Sequence, residues 1–185
     1  MILSLIFIIR SILKLIFLFL LLLSSLFAHP HTFIEIHPTI EFKNNRTSSI
    51  HFKWVLDDMS SSILIMDVDK NGDGVISRSE NTFIQKEYFF IFEDYSYYTY
   101  IKVDGKLIKP LKAINFKATI ENHKLCYSFD VMGDFSAKNT VLEFGDSDFY
   151  IAMVLKDKFL NIKGASSTVT GVDNDFYYGY RLDFK

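Results

Sequence analysis

Residues Asp69 to Glu80 read DKNGDGVISRSE, a stretch in which oxygen donors recur at fixed spacing. Counting Asp69 as position 1, Asp69, Asn71 and Asp73 offer side-chain oxygens at positions 1, 3 and 5. Val75 at position 7 offers its backbone carbonyl. Ser77 at position 9 offers a hydroxyl or a bridging water, and Glu80 at position 12 offers two carboxylate oxygens. A hard cation that takes six to eight oxygens suits this set, and the spacing is that of an EF-hand calcium loop. Gly74 falls at position 6, where the turn is sharp, and Ile76 at position 8 is the apolar anchor. A frame starting at Asp67 also reads D-x-D-x-N-G, but it sets Arg78 at the closing position, and a cation cannot close a cation site. No second loop of this kind occurs in the chain. A lone site of this type outside the cytosol is expected to staple structure, with affinity in the range of roughly 10⁻⁴–10⁻³ M.

A second set of ligands lies at His29-Pro30-His31. Cleavage after Ala28 would leave a free amine and two imidazoles within a few residues, a set that suits nickel, cobalt, copper or zinc rather than calcium. In an extended strand residues two apart point the same way, so His29 and His31 can chelate together, with Glu35 or His37 further along that face. Pro30 has no N–H, which excludes the square-planar site built on deprotonated backbone amides and leaves an amine-plus-imidazole clamp. His51 is expected opposite Glu41 or Lys43, about four residues from His37. His123 is expected exposed in a turn.

The elements that must position these groups are mostly strands. Thr32, Ile34, Ile36, Ile40 and Phe42 alternate with polar residues, and Ile50, Phe52, Trp54 and Leu56 form the apolar face of a second strand beyond the polar turn KNNRTS. Tyr98–Val103, Asp104-Gly105 and Lys106–Ile108 read as a tight hairpin. Further strands are expected at Ala113–Ile120, Leu125–Val131, Thr140–Phe144, Tyr150–Leu155, Ser166–Thr170 and Phe176–Phe184. Between the second and third strands, Met59, Ile63 and Met66 share one face of a helix before the loop, and Ile84, Tyr88, Ile91 and Tyr95 repeat similarly after it. Ser77 with Glu80 spells the S-x-x-E start of the second helix. The fold expected is mainly β: a single β-sandwich-like domain over 29–185 with a helix–loop–helix insertion at about 57–95. The many aromatic residues fit core packing and β propensity.

Residues 1–28 have the order of a secretory signal: Arg10 and Lys14, an apolar run from Leu15 to about Leu23, then Ser24, Ser25 and Ala28. Export to the periplasm is therefore expected, with no membrane attachment after cleavage. Loss of Arg10 and Lys14 takes the formal charge from −2 to −4, which argues against a nucleic-acid partner. Cys126 is the single cysteine, so no internal disulfide can form; an inert thiol is expected there, and calcium is left as the candidate staple. No nucleophile elbow, HExxH or assembled Ser/His/Asp set is present, and no enzyme is expected.

The order of these features resembles the family known as domain of unknown function 1007: HPHTFIEI directly after the signal, FKWVLDDM, the EF-like loop, then an aromatic β region with GDSDFYIAM. That resemblance implies a small periplasmic protein, the family being labelled the periplasmic component of an uncharacterised ABC-type transport system. It also implies proximity to nickel or cobalt permeases, hence an inner-membrane metal permease as partner and a transition metal at His29 and His31. A chain of this size has room for one lobe rather than the two that close around a solute. The function expected is a non-enzymatic metal-binding accessory to nickel/cobalt transport; the alternative is a calcium-stapled structural or protein-interaction module.

Overall fold

The computed structural model describes Arg10, Ile12, Lys14, 32–148 and 150–185. The chain is mainly β, as its alternating pattern requires, and its strands form two sheets. The first runs β5 (Ala113–Glu121), β6 (Lys124–Ser136), β2 (Arg46–Leu56), β1 (Thr32–Glu41), β8 (Ile151–Val154), with β9 (Asn161–Lys163) also on β1. β8 and β9 lie parallel to β1, whereas the other pairs are antiparallel. The second, wholly antiparallel, runs β10 (Ser167–Asp173), β11 (Tyr178–Phe184), β7 (Thr140–Gly145), β3 (Thr99–Val103), β4 (Lys106–Leu107). β9 escaped the pattern because three residues are too few to show alternation.

The inward faces share one core. Phe52 of β2 packs against Phe129 of β6 at 5.5 Å and reaches Phe144 of the second sheet at 6.1 Å between ring centroids. Trp54 meets Phe129 edge-on at 5.1 Å. Tight turns set the ladders. Asn44 and Asn45 carry φ of 50° and 65°, and Asp104 and Gly105 carry 51° and 74°, the positive values that two-residue hairpins require. The first of these turns is shorter than KNNRTS, so Arg46 and Thr47 join β2 and shift the register. His51 stands opposite Thr39, not Glu41 or Lys43.

Between β2 and β3 lie α1 (Asp58–Val68) and α2 (Arg78–Ile84), the latter continuing into a π-helical turn, Gln85–Phe89. Asp57 caps α1 by accepting the Ser60 N–H at 2.8 Å. Its second oxygen accepts the Phe33 N–H at 2.8 Å, which ties the helix to β1. Ser61 is buried, donating to the Leu56 carbonyl and accepting the Leu125 N–H at 3.0 Å. These bonds rotate α1 so that Ser61, Leu64, Ile65 and Val68 face inward. The expected face is therefore on the wrong side: Met59, Ile63 and Met66 are 61, 58 and 78% exposed. After α2 the π-helical turn adds a residue to one turn and breaks the 3.6-residue phase. Phe89 and Phe92 face the core, while Ile91 and Tyr95 are exposed.

Replacing Asp57 with Ala removes the cap and the tie to β1 together. Denaturant unfolding should show a loss of about 1–2 kcal/mol, the upper range for an N-cap.

Candidate metal-binding loop

The loop hangs between two capped helix ends. α1 closes with the Asp69 N–H on the Ile65 carbonyl, and α2 starts at Ser77, whose side chain accepts the Glu80 N–H at 3.3 Å. Within the loop the oxygen-bearing side chains turn inward onto backbone N–H groups. Asp69 accepts from Gly72 and Gly74, both at 2.9 Å. Asp73 accepts from Val75 at 2.8 Å and from the Asn71 amide at 2.7 Å. Gly72 and Gly74 have φ of 67° and 75°, a conformation L side chains rarely adopt.

Glu80 reaches across the loop. One carboxylate oxygen accepts the Lys70 N–H and the other the Ser77 N–H, each at 2.8 Å. Residues at positions 2 and 9 are thus held by position 12. Asp67 stands apart: it accepts the Tyr88 hydroxyl and binds Lys70 Nζ at 3.2 Å. Val75 is exposed, and Ile76 packs on the core. Asn81 of α2 accepts the Ala118 N–H of β5 at 2.7 Å, fastening the unit to the edge of the first sheet.

The donor set of Asp69, Asn71, Asp73, Val75, Ser77 and Glu80 is all oxygen and fits a hard cation in its chemistry. Its carboxylates are at present satisfied by the loop's own N–H groups. Among the described residues no three His, Cys, Asp or Glu side chains are gathered closely enough to hold a metal ion.

His29 and His31 lie outside the described residues. Further along β1, His37 Nε2 lies 3.6 Å from a Glu35 carboxylate oxygen and its ring 4.2 Å from Phe159. Burial lowers the His37 pKa, and Glu35 only partly restores it. His51 turns away to Asp130, Nδ1 to oxygen 2.7 Å, and Asn115 holds the other Asp130 oxygen at 2.8 Å. His123 is exposed in a turn. The Cys126 thiol is buried, and burial pushes its pKa up. Asp146, buried, accepts the N–H groups of Asp148, Tyr150 and Ile151 and so shapes a turn.

One cluster had no sequence signal. Buried Glu143 accepts from Lys102 Nζ at 2.7 Å, the Tyr177 hydroxyl at 2.8 Å and Arg181 Nη1 at 3.1 Å. Burial pushes the Glu143 pKa up, but these hydrogen bonds and the two cations more than offset it and hold the carboxyl below its ordinary value. Its partners come from two strands, β3 and β11, and from the loop before β11, a convergence that the pairing of both strands with β7 creates.

The architecture is thus a mainly β chain of two sheets with a helical insertion carrying an acidic loop. A family profile described as "Protein of unknown function (DUF1007)" matches residues 14–171, and the chain belongs to this family. An uncharacterised protein of Haemophilus influenzae is 29% identical over 137 residues, covering 71% of this chain and 65% of that protein. The match therefore spans less than two thirds of that relative's length. No solved structure matches the chain.

The Ser77 and Lys70 N–H groups hold the Glu80 carboxyl below its ordinary value of 4.5. A carboxyl with a depressed folded-state pKa stabilises the fold above its unfolded value, and that stability is lost as pH falls through the folded value. Glu80→Gln should therefore unfold at lower denaturant than the parent at about pH 7 without calcium, and the gap should close as pH falls through the lowered folded-state value.

Proposed function

We propose that this chain is an exported calcium-binding protein whose Asp69–Glu80 loop forms an EF-hand-like unit, and that it serves in the periplasm as a non-enzymatic metal-binding accessory to a nickel or cobalt transport system. The observation that carries the calcium reading is the placement of Glu80. From position 12 its two oxygens span the loop to the N–H groups of positions 2 and 9, while Asp69 gathers those of positions 4 and 6. The loop is already wound around its own acidic side chains between two helix ends. Bound calcium would neutralise those carboxylates and supply a cross-link that a chain with one cysteine lacks. Asp69, Asn71, Asp73, Ser77 and Glu80 would hold it by side chains and Val75 by its carbonyl.

The transport role rests on other ground: the His29-Pro30-His31 sequence that cleavage after Ala28 would leave at the start of the chain, and membership of a family whose members are often labelled periplasmic transport components. An amine and two imidazoles there would hold nickel, cobalt, copper or zinc and pass it to, or receive it from, an inner-membrane permease. The exposed Met59, Ile63 and Met66 favour a second reading, a calcium-stapled module that docks on another protein and moves no metal.

Calcium at tenfold excess over its dissociation constant should add about 1.4 kcal/mol. For a chain of this length that is a rise of about 3–6 °C in melting temperature. Glu80→Gln should abolish the rise; an unchanged rise would place calcium elsewhere. In a separate titration, nickel, cobalt or copper should bind the chain beginning at His29 and not one carrying an extra residue ahead of it. Equal binding by both would rule out the amino-terminal clamp.

A further inference from the structure

Two sheets leave four edges, and an exposed edge is a row of unpaired N–H and C=O groups that natural proteins blunt. Among the described residues three of these edges are blunted. β4 has two residues and is soon followed by Pro110. β5 carries Lys117 and a register irregularity between Ile114 and Lys117, and its Ala118 N–H is taken by Asn81. Beside β1, β8 and β9 are short and are separated by a 3-10 turn, Asp157–Phe159, with Lys156 and Lys158 around it. β10 is different. Its seven residues, STVTGVD, contain no proline, no lysine and no irregularity against β11.

The direction of its free groups follows from one pair. Ser166 and Lys185 exchange both backbone bonds, at 3.0 and 2.9 Å. Antiparallel ladders alternate, so Thr168 with Asp183, Thr170 with Arg181 and Val172 with Gly179 are the bonded pairs that continue this phase. Ser167, Val169, Gly171 and Asp173 therefore turn their N–H and C=O groups to the open edge.

We propose that β10 is an interaction surface for a second copy of this chain, pairing antiparallel with its own counterpart about a twofold axis at Thr170. That axis sets each outward residue against an outward residue: Val169 faces Gly171 of the other copy, and Ser167 faces Asp173. A Cβ at Gly171 would meet nothing within 4 Å, which leaves room beside it for the Val169 side chain of the second copy. The strand's single charge, Asp173, meets a serine hydroxyl, and the two Asp173 residues lie about 20 Å apart at opposite ends of the ladder. A parallel pairing would instead bring the two carboxylates together. Thr170 faces Thr170 on the axis, a favourable cross-strand pair. This match of small against branched and charged against polar is a property of the strand with itself, which is why the partner is a second copy rather than an unrelated extended peptide. The surface stands independently of calcium.

Thr170 is exposed on the outer face, so its substitution leaves the core untouched. At a non-hydrogen-bonded antiparallel pair the Cα atoms lie about 4.5 Å apart, within disulfide reach. Thr170→Cys should cross-link into a covalent dimer on mild oxidation, while Thr168→Cys, whose counterpart lies on the far side of the axis, should not. By sedimentation the parent should be dimeric, and Thr170→Lys should be monomeric while still unfolding cooperatively, with a melting temperature that no longer depends on protein concentration. Mixing Thr170→Lys with Thr170→Asp should restore the dimer. Val169→Pro removes an outward N–H, together with a side chain that packs on the core, and should also give a monomer; if it fails to fold, Thr170→Lys decides. A parent monomeric from micromolar to millimolar concentration would overturn the proposal. So would a dimer indifferent to Thr170→Lys, or equal cross-linking of the two cysteine variants.

Discussion

Phe89 fastens the helical insertion to the sheets. Its ring lies 4.2 Å from Phe116, 5.0 Å from Phe129, 5.3 Å from Tyr97 and 6.2 Å from Trp54. Those partners belong to β5, β6, the approach to β3, and β2. Aromatic contacts of this kind contribute beyond the area they bury, because ring edges and faces attract. With a single thiol, itself buried, the chain has no internal disulfide and depends on this packing instead. The π-helical turn is what aims the ring. A regular helix would carry residue 89 off the core face and bring a neighbour into its place.

This explains why the strands were legible in the sequence and the helical faces were not. Alternation along Ile34, Ile36 and Ile40, or Ile50, Phe52 and Trp54, survives because a strand offers only two faces, and one is buried. A helix can rotate. The stripe Met59, Ile63, Met66 is a sound periodic pattern, but Ser61 makes hydrogen bonds to two buried backbone groups that a hydrophobic count ignores. Register failed for a similar reason. A polar run reads as one turn, whereas Asn44 and Asn45 alone make the turn and the rest of the run extends the ladder.

The hydrogen bonds of the acidic loop are local: twelve consecutive residues contain them, and the reach of Glu80 back to Lys70 lies within that span. The Glu143 cluster was not legible, because Lys102, Tyr177 and Arg181 are brought to it by strand pairing across 79 residues of chain, from 102 to 181. His51 shows the same limit. Nothing near it in sequence announces Asp130, which arrives on β6.

The bonds at the start of α1 have a wider consequence. Asp57 holds the Phe33 N–H, and the Ser60 hydroxyl lies 3.3 Å from that of Thr32, so the point where the chain enters its first strand is tied to one end of the helix. The acidic loop begins at the other end. The 11 residues of α1 make a rod about 16 Å long between them. That exceeds the roughly 8 Å over which charge is felt through physiological salt. A cation in the loop and a ligand near Thr32 would therefore be electrostatically deaf to each other, and α1 would act as a strut, passing on position but not charge.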